Sequence, residues 1–405
     1  MFRTILRLAY KNSFLRKSRT ILLILMIGSS MGVMVSLEGL YSGMSKHMID
    51  KSKRSDSGEL SLYAPHYRVE DDIKYRIQNA QSKSQQIAQI AGVSSVVTRI
   101  SAQGLAQTAR KSQPARVIGI DLTNEEKFGQ YSDFLKSGRL EFGKNGAFVG
   151  KGLAKKLKLK LGSKVIFTTQ DSTLDIQSAA LRVKAILDTT NMRLDEQGIF
   201  MPKKRVATLL GVEADSATQI AIRSSDTPAK LKSKIAQLYP HLEAYSFIQL
   251  YPQLKQMQSM MDIFNSITFM IVMIVVFIGI LGVSYVSILD RIREFGILLS
   301  IGYSYRYIRI QIMLEALLLG FVGYILGSII GLILLGYLTL YGLDLSAFAD
   351  GMESFGMSST IYATIEVSYF VSTLFAIILA SLLSLILPLH KIKKLNPIDV
   401  IRSAK

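Results

Sequence analysis

The sequence predicts an α-helical membrane protein with four transmembrane helices and a large α+β domain inserted between the first and the second. Three observations lead there. Hydrophobic residues make up 49% of the 405 residues and the mean hydropathy is +0.30, too apolar for an ordinary soluble enzyme. The apolar residues gather in four runs, each long enough to cross a bilayer, which takes about 20 residues at about 1.5 Å rise each. Between the first two runs lies an interval of ordinary globular composition, long enough to build its own core.

The first run is Ile21 to Tyr41. Its apolar stretch is too long for a cleaved signal peptide and no A-x-A site follows, so it reads as a retained anchor. The remaining runs are about Ile263 to Leu289, Ile308 to Tyr341 and Val367 to Leu389. The resulting organisation is a basic N-terminus (1–19), helix 1 (20–42), a core domain with a stalk (43–262), helix 2 (263–289), a short segment (290–307), helix 3 (308–341), a loop (342–366), helix 4 (367–389) and a tail (390–405). Apolar residues continue upstream of helix 2 through Met257, Met260, Met261 and Phe264 at helical spacing, which predicts a stalk projecting from the membrane.

Positive charge in short flanks sets orientation. Arg3, Arg7, Lys11, Arg16, Lys17 and Arg19 precede helix 1. Arg291, Arg293, Arg306 and Arg309 lie between helices 2 and 3, and Lys391, Lys393, Lys394, Arg402 and Lys405 lie in the tail. The 342–366 loop has no Lys or Arg and carries Asp344, Asp350, Glu353 and Glu366. Both termini and the 290–307 segment are therefore expected in the cytoplasm, with the large domain outside. The net charge is +18, and residues 43–264 hold 33 basic and 21 acidic residues, a surplus of 12. A basic excess on that side points to anionic lipid or an acidic extracytoplasmic protein, or simply to solubility, and not to nucleic acid.

Helices in lipid associate through small residues. Gly28, Gly32 and Ser36 recur at four-residue spacing in helix 1, continued by Gly39 and Gly43. Gly323, Gly327 and Gly331 recur in helix 3, and Ala376, Ala380 and Ser384 in helix 4. These series mark close contacts within one subunit or across a dimer. Two carboxylates fall inside helices. Glu38 is expected to snorkel to the outer interface, and Glu315 to pair with the basic 291–309 segment.

The outer interval alternates strand and helix signals. Glu59–Tyr63, Val93–Ala106 and Arg116–Ile120 read as strands, and Lys164–Thr169 with Leu181–Leu187 as a hairpin. Ile73–Ile90, Gly152–Leu159 and Pro228–Leu238 read as helices, giving an α+β domain in two lobes. The stretch GAFVGKG, Gly146 to Gly152, is one residue short of a phosphate-binding loop and has Gly where Ser or Thr is required. H-E-x-x-H does not occur, and the sequence assigns no catalytic, metal-binding or substrate-binding residue. The four histidines, His47, His66, His241 and His390, are too scattered for a metal site, and the absence of cysteine excludes disulfides, thiolate metal sites and cysteine nucleophiles.

In the 290–307 segment, Ile292, Phe295, Leu298 and Leu299 fall on one helical face and Gly302 ends the pattern. RIREFGILLSIGYSYRYIRIQIMLEALLLGFVGYILG, Arg291 to Gly327, resembles the signature segment of the FtsX/MacB-type permeases of ABC transporters. The opening LRLAYKNSFLRKSRTILLILMIGSSMG and the tail HKIKKLNPIDVIRSAK resemble the two ends of the same family. IAGVSSVVTRI, ARVIGIDL and GAFVGKGLAKKLKLKLGSKVIF resemble its periplasmic core. The resemblance implies a multi-pass subunit of the bacterial inner membrane, not itself an enzyme. It would work with a cytoplasmic ABC ATPase dimer that carries ATP and Mg, and with a second permease in a homo- or heterodimer. A periplasmic carrier or adaptor is a further implied partner. It also implies that Arg291, Arg293, Glu294, Phe295, Gly296 and Gly302 belong to a coupling helix at the ATPase contact. In size and layout the chain looks most like the lipoprotein-releasing, LolC/LolE-like permeases, although its 170–180 loop lacks their proline-rich hook. MacB-like efflux and FtsX-like control of a cell-wall hydrolase remain alternatives.

Overall fold

The computed structural model describes residues 17–189, 191–348 and 360–393. The basic residues Arg3, Arg7, Lys11, Arg16, Lys394, Arg402 and Lys405, and the acids Asp350 and Glu353, lie outside those ranges. In chain order the principal helices are α1 (Lys17–Ser52), α2 (Ala80–Ala88), α3 (Leu122–Gly129), α4 (Lys151–Leu157), α5 (Lys203–Leu209), α6 (Pro228–Leu238), α7 (Pro252–Asp290), α8 (Ile292–Ser300), α9 (Tyr305–Leu340) and α10 (Val367–Leu383). Four described helical stretches are long and apolar enough to cross a membrane: Lys17–Ser57, Pro252–Asp290, Tyr305–Leu340 and Val367–His390. Two compact units divide the chain, the membrane helices and a domain spanning Lys46–Met257.

In the membrane unit, α1 and α9 meet through their glycines. A Cβ on Gly327 would fall 2.7 Å from the Met31 Cβ and 2.9 Å from the Gly28 carbonyl oxygen. Gly32 faces Ile330, Gly323 faces Ile27 and Gly331 faces Val35. The two series therefore lie opposite each other inside one subunit, and only a hydrogen side chain allows backbones this close. Ser36 is buried and its hydroxyl donates to the Gly32 carbonyl oxygen at 2.7 Å. α10 also packs on α9, where Ile377 and Ser381 lie over Gly320. α7 meets α1 where Gly279 faces Met26, and most of its remaining apolar length is exposed. The fourth stretch is interrupted after Leu383. Pro388 has no N–H to offer the Ser384 carbonyl one turn earlier, so the helix breaks there.

The Lys46–Met257 domain is built on a mixed ten-stranded sheet. Its strands are β1 (Leu60–Tyr63), β2 (Val93–Gln107), β3 (Ser112–Ile120), β4 (Leu135–Gly138), β5 (Gly146–Gly150), β6 (Lys164–Gln170), β7 (Ile176–Leu187), β8 (Gly198–Pro202), β9 (Gln219–Ser224) and β10 (Glu243–Ser246). Their order is β10-β1-β9-β2-β3-β8-β5-β7-β4, with β6 bridging β2 and β7. The 15-residue β2 joins two lobes. Its first half pairs with β9, and its second half pairs with β3 and β6. Leu60, Leu62, Ile87, Ile220, Ile222 and Leu231 form the core of one lobe, and Val117, Val149, Leu153, Phe167, Val183 and Ile199 that of the other.

Several expectations shift. The helix expected over Ile73–Ile90 shrinks to α2, because Ile77 forms a bridge with Ala217 and the helix start is capped from a distance. Asp215 accepts the Ala80 N–H through its carbonyl at 2.9 Å and the Gln81 N–H through Oδ1 at 2.7 Å. α1 continues past Tyr41 to Ser52, so a second long helix extends beyond its apolar run, and α7 begins at Pro252. β7 starts at Ile176, five residues before the hydrophobic pattern becomes visible. Gly150 is small because the Leu194 and Asp195 carbonyls would lie 2.4 and 2.5 Å from a Cβ there. The space a phosphate would need beside GAFVGKG is occupied by backbone.

The glycine seam makes a direct prediction. Gly327→Leu should lower the thermal midpoint of the purified protein, an overpacking cost of about 1–3 kcal/mol. Gly336→Leu should not, because a Cβ at Gly336 meets nothing within 4 Å. Equal effects of the two substitutions would refute the close contact of α1 with α9.

Candidate functional site

Two places gather charged side chains that the fold must hold in position. The first is the short helix α8 and its surroundings. Phe295 is 1% exposed and packs with Ile288, Ile308, Ile312 and Ala316, and Leu298 and Leu299 pack against the same cluster, so α8 is fastened to the bundle by its apolar face. Arg291 lies over that ring at 5.0 Å, and its Nη1 donates to both Glu315 oxygens, at 3.2 and 3.0 Å. Gln311 donates to Glu315 Oε1 at 3.1 Å. The intramembrane carboxylate is thus met by a guanidinium and an amide, which a charge at that depth requires. Arg19 of α1 pairs with Asp290 at the end of α7.

The residues assigned to a coupling role are not equivalent in this arrangement. Arg291, Phe295 and Gly296 turn toward the bundle, with Phe295 and Gly296 buried. Arg293, Glu294 and Gly302 are exposed, although Glu294 also reaches Arg291 Nε at 3.3 Å. Ile297 and Ile301 lie beside them, 47% and 74% exposed. Gly302 has φ +88°, its N–H bonds to the Leu299 carbonyl, and the Tyr303 N–H reaches back to Leu298. That double closure is a Schellman cap, so glycine at this position is a requirement of the backbone. Ser304 then caps α9 by accepting the Arg306 N–H. Glu38, expected to snorkel outward, is half-buried, and its Oε2 is enclosed with no hydrogen-bond partner among the described residues.

The second place lies within the Lys46–Met257 domain, where α1 ends and α7 begins. Arg99, in the middle of β2, is 2% exposed. Its Nε and Nη2 donate to the two oxygens of Glu125 at 2.5 and 2.6 Å, and its ring-side face covers Phe128 at 5.3 Å. Nη1 reaches Asp56, donating to its backbone carbonyl and lying 3.3 Å from Oδ1. Asp56 belongs to the turn Lys53–Ser57 that closes α1. The hydroxyl of Tyr251, the residue directly before α7, donates to Asp56, and Asn191 Nδ2 donates to that hydroxyl at 3.0 Å. One buried guanidinium therefore ties the roots of both long helices to the central strand.

The electrostatics fit that arrangement. Burial opposes the Arg99 charge, but Glu125 and Asp56 outweigh it and hold the group above its ordinary value. Burial pushes the Glu125 carboxyl up, and the guanidinium facing it opposes that push. Arginine does not release its proton in proteins, so Arg99 keeps its charge. Burial and the Asp56 carboxylate raise the Tyr251 hydroxyl well above its usual range, so it remains a donor. Removing one partner of such a pair costs about 3–5 kcal/mol, because the other charge is left buried alone. The α1 root is further held by Arg54, which donates to Gly129 O at 3.0 Å and Gln130 Oε1 at 2.7 Å and pairs with Asp133.

None of these junction residues was singled out from sequence, because their partners are far apart along the chain. A signal did exist. Arg99 interrupts the apolar strand of VSSVVTRISA, and a lone charge there needs a buried partner. Among the described residues no group of three or more His, Asp or Glu could hold a metal ion.

Comparison with known proteins agrees with this architecture. Residues 20–238 match the MacB-like periplasmic core domain, and residues 266–397 match the FtsX-like permease C-terminal family. The lipoprotein-releasing system transmembrane protein LolE of Haemophilus influenzae is 24% identical over 346 residues, covering 81% of this chain and 78% of that protein. The extracellular domain of the noncanonic ABC-type transporter YknZ from Gram-positive bacteria aligns over 44% of this chain and 91% of its own, at 15% identity and a TM-score of 0.31. The periplasmic region of MacB from Actinobacillus actinomycetemcomitans aligns over 48% and 92%, at 16% identity and a TM-score of 0.33. Proteins of this kind are transport subunits with no catalytic centre of their own. With one family model spanning more than half of its length and a second covering the helices that follow, the chain belongs to the FtsX/MacB-type permeases of ABC transporters.

Proposed function

We propose that this permease relays the work of a separate cytoplasmic ATPase dimer, which binds ATP and Mg, to its extracytoplasmic domain, and that the work releases lipoproteins from the inner membrane. Both termini and α8 then lie in the cytoplasm, as their basic flanks require. A second permease subunit completes the complex. The observation that carries the reading is the Arg99 junction. Helices α1 and α7 each continue from an apolar run into the Lys46–Met257 domain, and Asp56 and Tyr251 at their roots are bound to the same buried side-chain network. Motion of either helix along its axis is thereby delivered to β2.

Within this reading, α8 divides its labour. Arg291, Phe295 and Gly296 hold it to the bundle, which leaves Arg293, Glu294, Ile297 and Ile301 as the face that meets the ATPase. Two adjacent exposed isoleucines rimmed by charges suit a small protein contact. The relative of known name supports lipoprotein release as the work done. One observation favours the second reading, efflux with a periplasmic adaptor. The β6–β7 connection is a tight turn in which Asp171 accepts the Thr173 and Asp175 N–H groups, too short to form an extended hook for a carrier.

Two experiments separate these readings. Depleting the protein should leave acylated proteins in the inner-membrane fraction. Normal sorting together with new drug sensitivity would instead establish efflux. The double substitution Ile297→Asp, Ile301→Asp should abolish co-purification of the ATPase while leaving the level of the permease unchanged. Undiminished co-purification would place the contact elsewhere.

A further inference from the structure

Beside the Arg99 junction is a cavity of about 110 Å³ in the Lys46–Met257 domain. One water needs roughly 10–15 Å³ of such space, so the cavity has room for a small polyatomic group. Four arginines from separate parts of the fold line it: Arg68, Arg99, Arg116 and Arg193. The acids in its wall are Asp56 and Asp71. Those two are already engaged. Asp56 is held by Arg99 and Tyr251, and Asp71 by Arg116 and Gln103.

What remains is a surplus of two guanidinium groups. No ion pair joins Arg68 or Arg193 to a carboxylate among the described residues, and both are exposed at the cavity. Arg68 lies over the rings of Tyr63 and Tyr245, at 5.8 and 4.9 Å, a cation–π contact to each. Deeper in, Arg116 is 7% exposed, and its Nε is enclosed without a hydrogen-bond partner. Two guanidinium groups outside any ion pair, on a cavity whose other two arginines are engaged by carboxylates, form a receptor for a compact oxyanion.

We propose that this cavity binds a phosphate group, with Arg68 and Arg193 as its principal ligands. A phosphate group offers three acceptor oxygens, enough to receive donors from both arginines at once. The phosphate is either the headgroup of a lipid or part of a soluble molecule. Asp56, Leu250 and Tyr251 also line the cavity, so its occupant would touch the roots of α1 and α7. The inference does not depend on lipoprotein release or on the ATPase contact.

The test uses the full-length protein in detergent micelles at about 0.15 M salt, where exposed charges more than roughly 8 Å apart are screened. Inorganic phosphate and a soluble short-chain phosphatidic acid are titrated separately by calorimetry. We expect saturable binding near one equivalent, weakened at least tenfold in Arg68→Gln, Arg193→Gln, with the thermal midpoint of the unliganded protein unchanged. Tighter binding of phosphatidic acid than of phosphate assigns the site to a lipid headgroup, and similar affinities assign it to a soluble phosphate compound. Absence of saturable binding by either probe, binding that survives the double substitution, or preference for a glutamate-rich peptide over both probes overturns the proposal.

Discussion

A guanidinium buried in a protein interior needs a partner for its charge, and in this permease that requirement organises the domain around Arg99. Its donors go to Glu125 on α3 and to Asp56 on the turn that closes α1. Asp56 in turn receives the Tyr251 hydroxyl from the start of α7. Moving the α1 root away from β2 separates Asp56 from the buried guanidinium, and moving the α7 root breaks the Tyr251–Asp56 hydrogen bond. A hydrophobic contact in the same place would tolerate sliding. The ionic junction permits only arrangements that keep its partners together, which is the property a mechanical relay needs.

The membrane unit solves a different problem by different means. Lipid supplies no hydrophobic drive for helices to associate, so close packing and local polar pairing must do it. Gly28, Gly32, Gly327 and Gly331 let α1 and α9 approach to backbone distance. Glu315 would be intolerable near hydrocarbon if Arg291 did not meet it, and that pairing also anchors the start of α8. One salt bridge therefore serves two ends: it neutralises an intramembrane carboxylate and sets the position of the short helix.

Much of this was legible from residue pattern alone. Long apolar runs, small residues at four-residue spacing and helix stop signals are local features. The four spans, α6 with its leading proline and the Gly302 terminus could all be read from them. What escaped is non-local. The length of α1 beyond Tyr41 rests on helical backbone bonds through polar residues such as Ser45, Lys46 and Asp50, and hydropathy does not register those. The true start of α2 depends on Asp215, more than a hundred residues away. Arg99, Glu125, Asp56 and Tyr251 form one network from four distant parts of the chain. Family resemblance located α8, but only side-chain packing distinguished the residues that hold it from those left exposed.

The central claim is that motion enters the Lys46–Met257 domain through the Arg99 junction. The chain contains no native cysteine, so spin labels can be placed singly at Gln85 on α2 and Ile263 on α7. The distance between them, measured by pulsed dipolar spectroscopy in the ATPase complex with and without trapped nucleotide, tests the claim most directly. Arg99→Met with Glu125→Leu removes the bidentate pair together and leaves Asp56 to the Tyr251 hydroxyl. The account predicts a nucleotide-dependent shift in the native junction that disappears in the double variant while ATP hydrolysis continues. No shift with the native junction, or the same shift without it, would contradict the account.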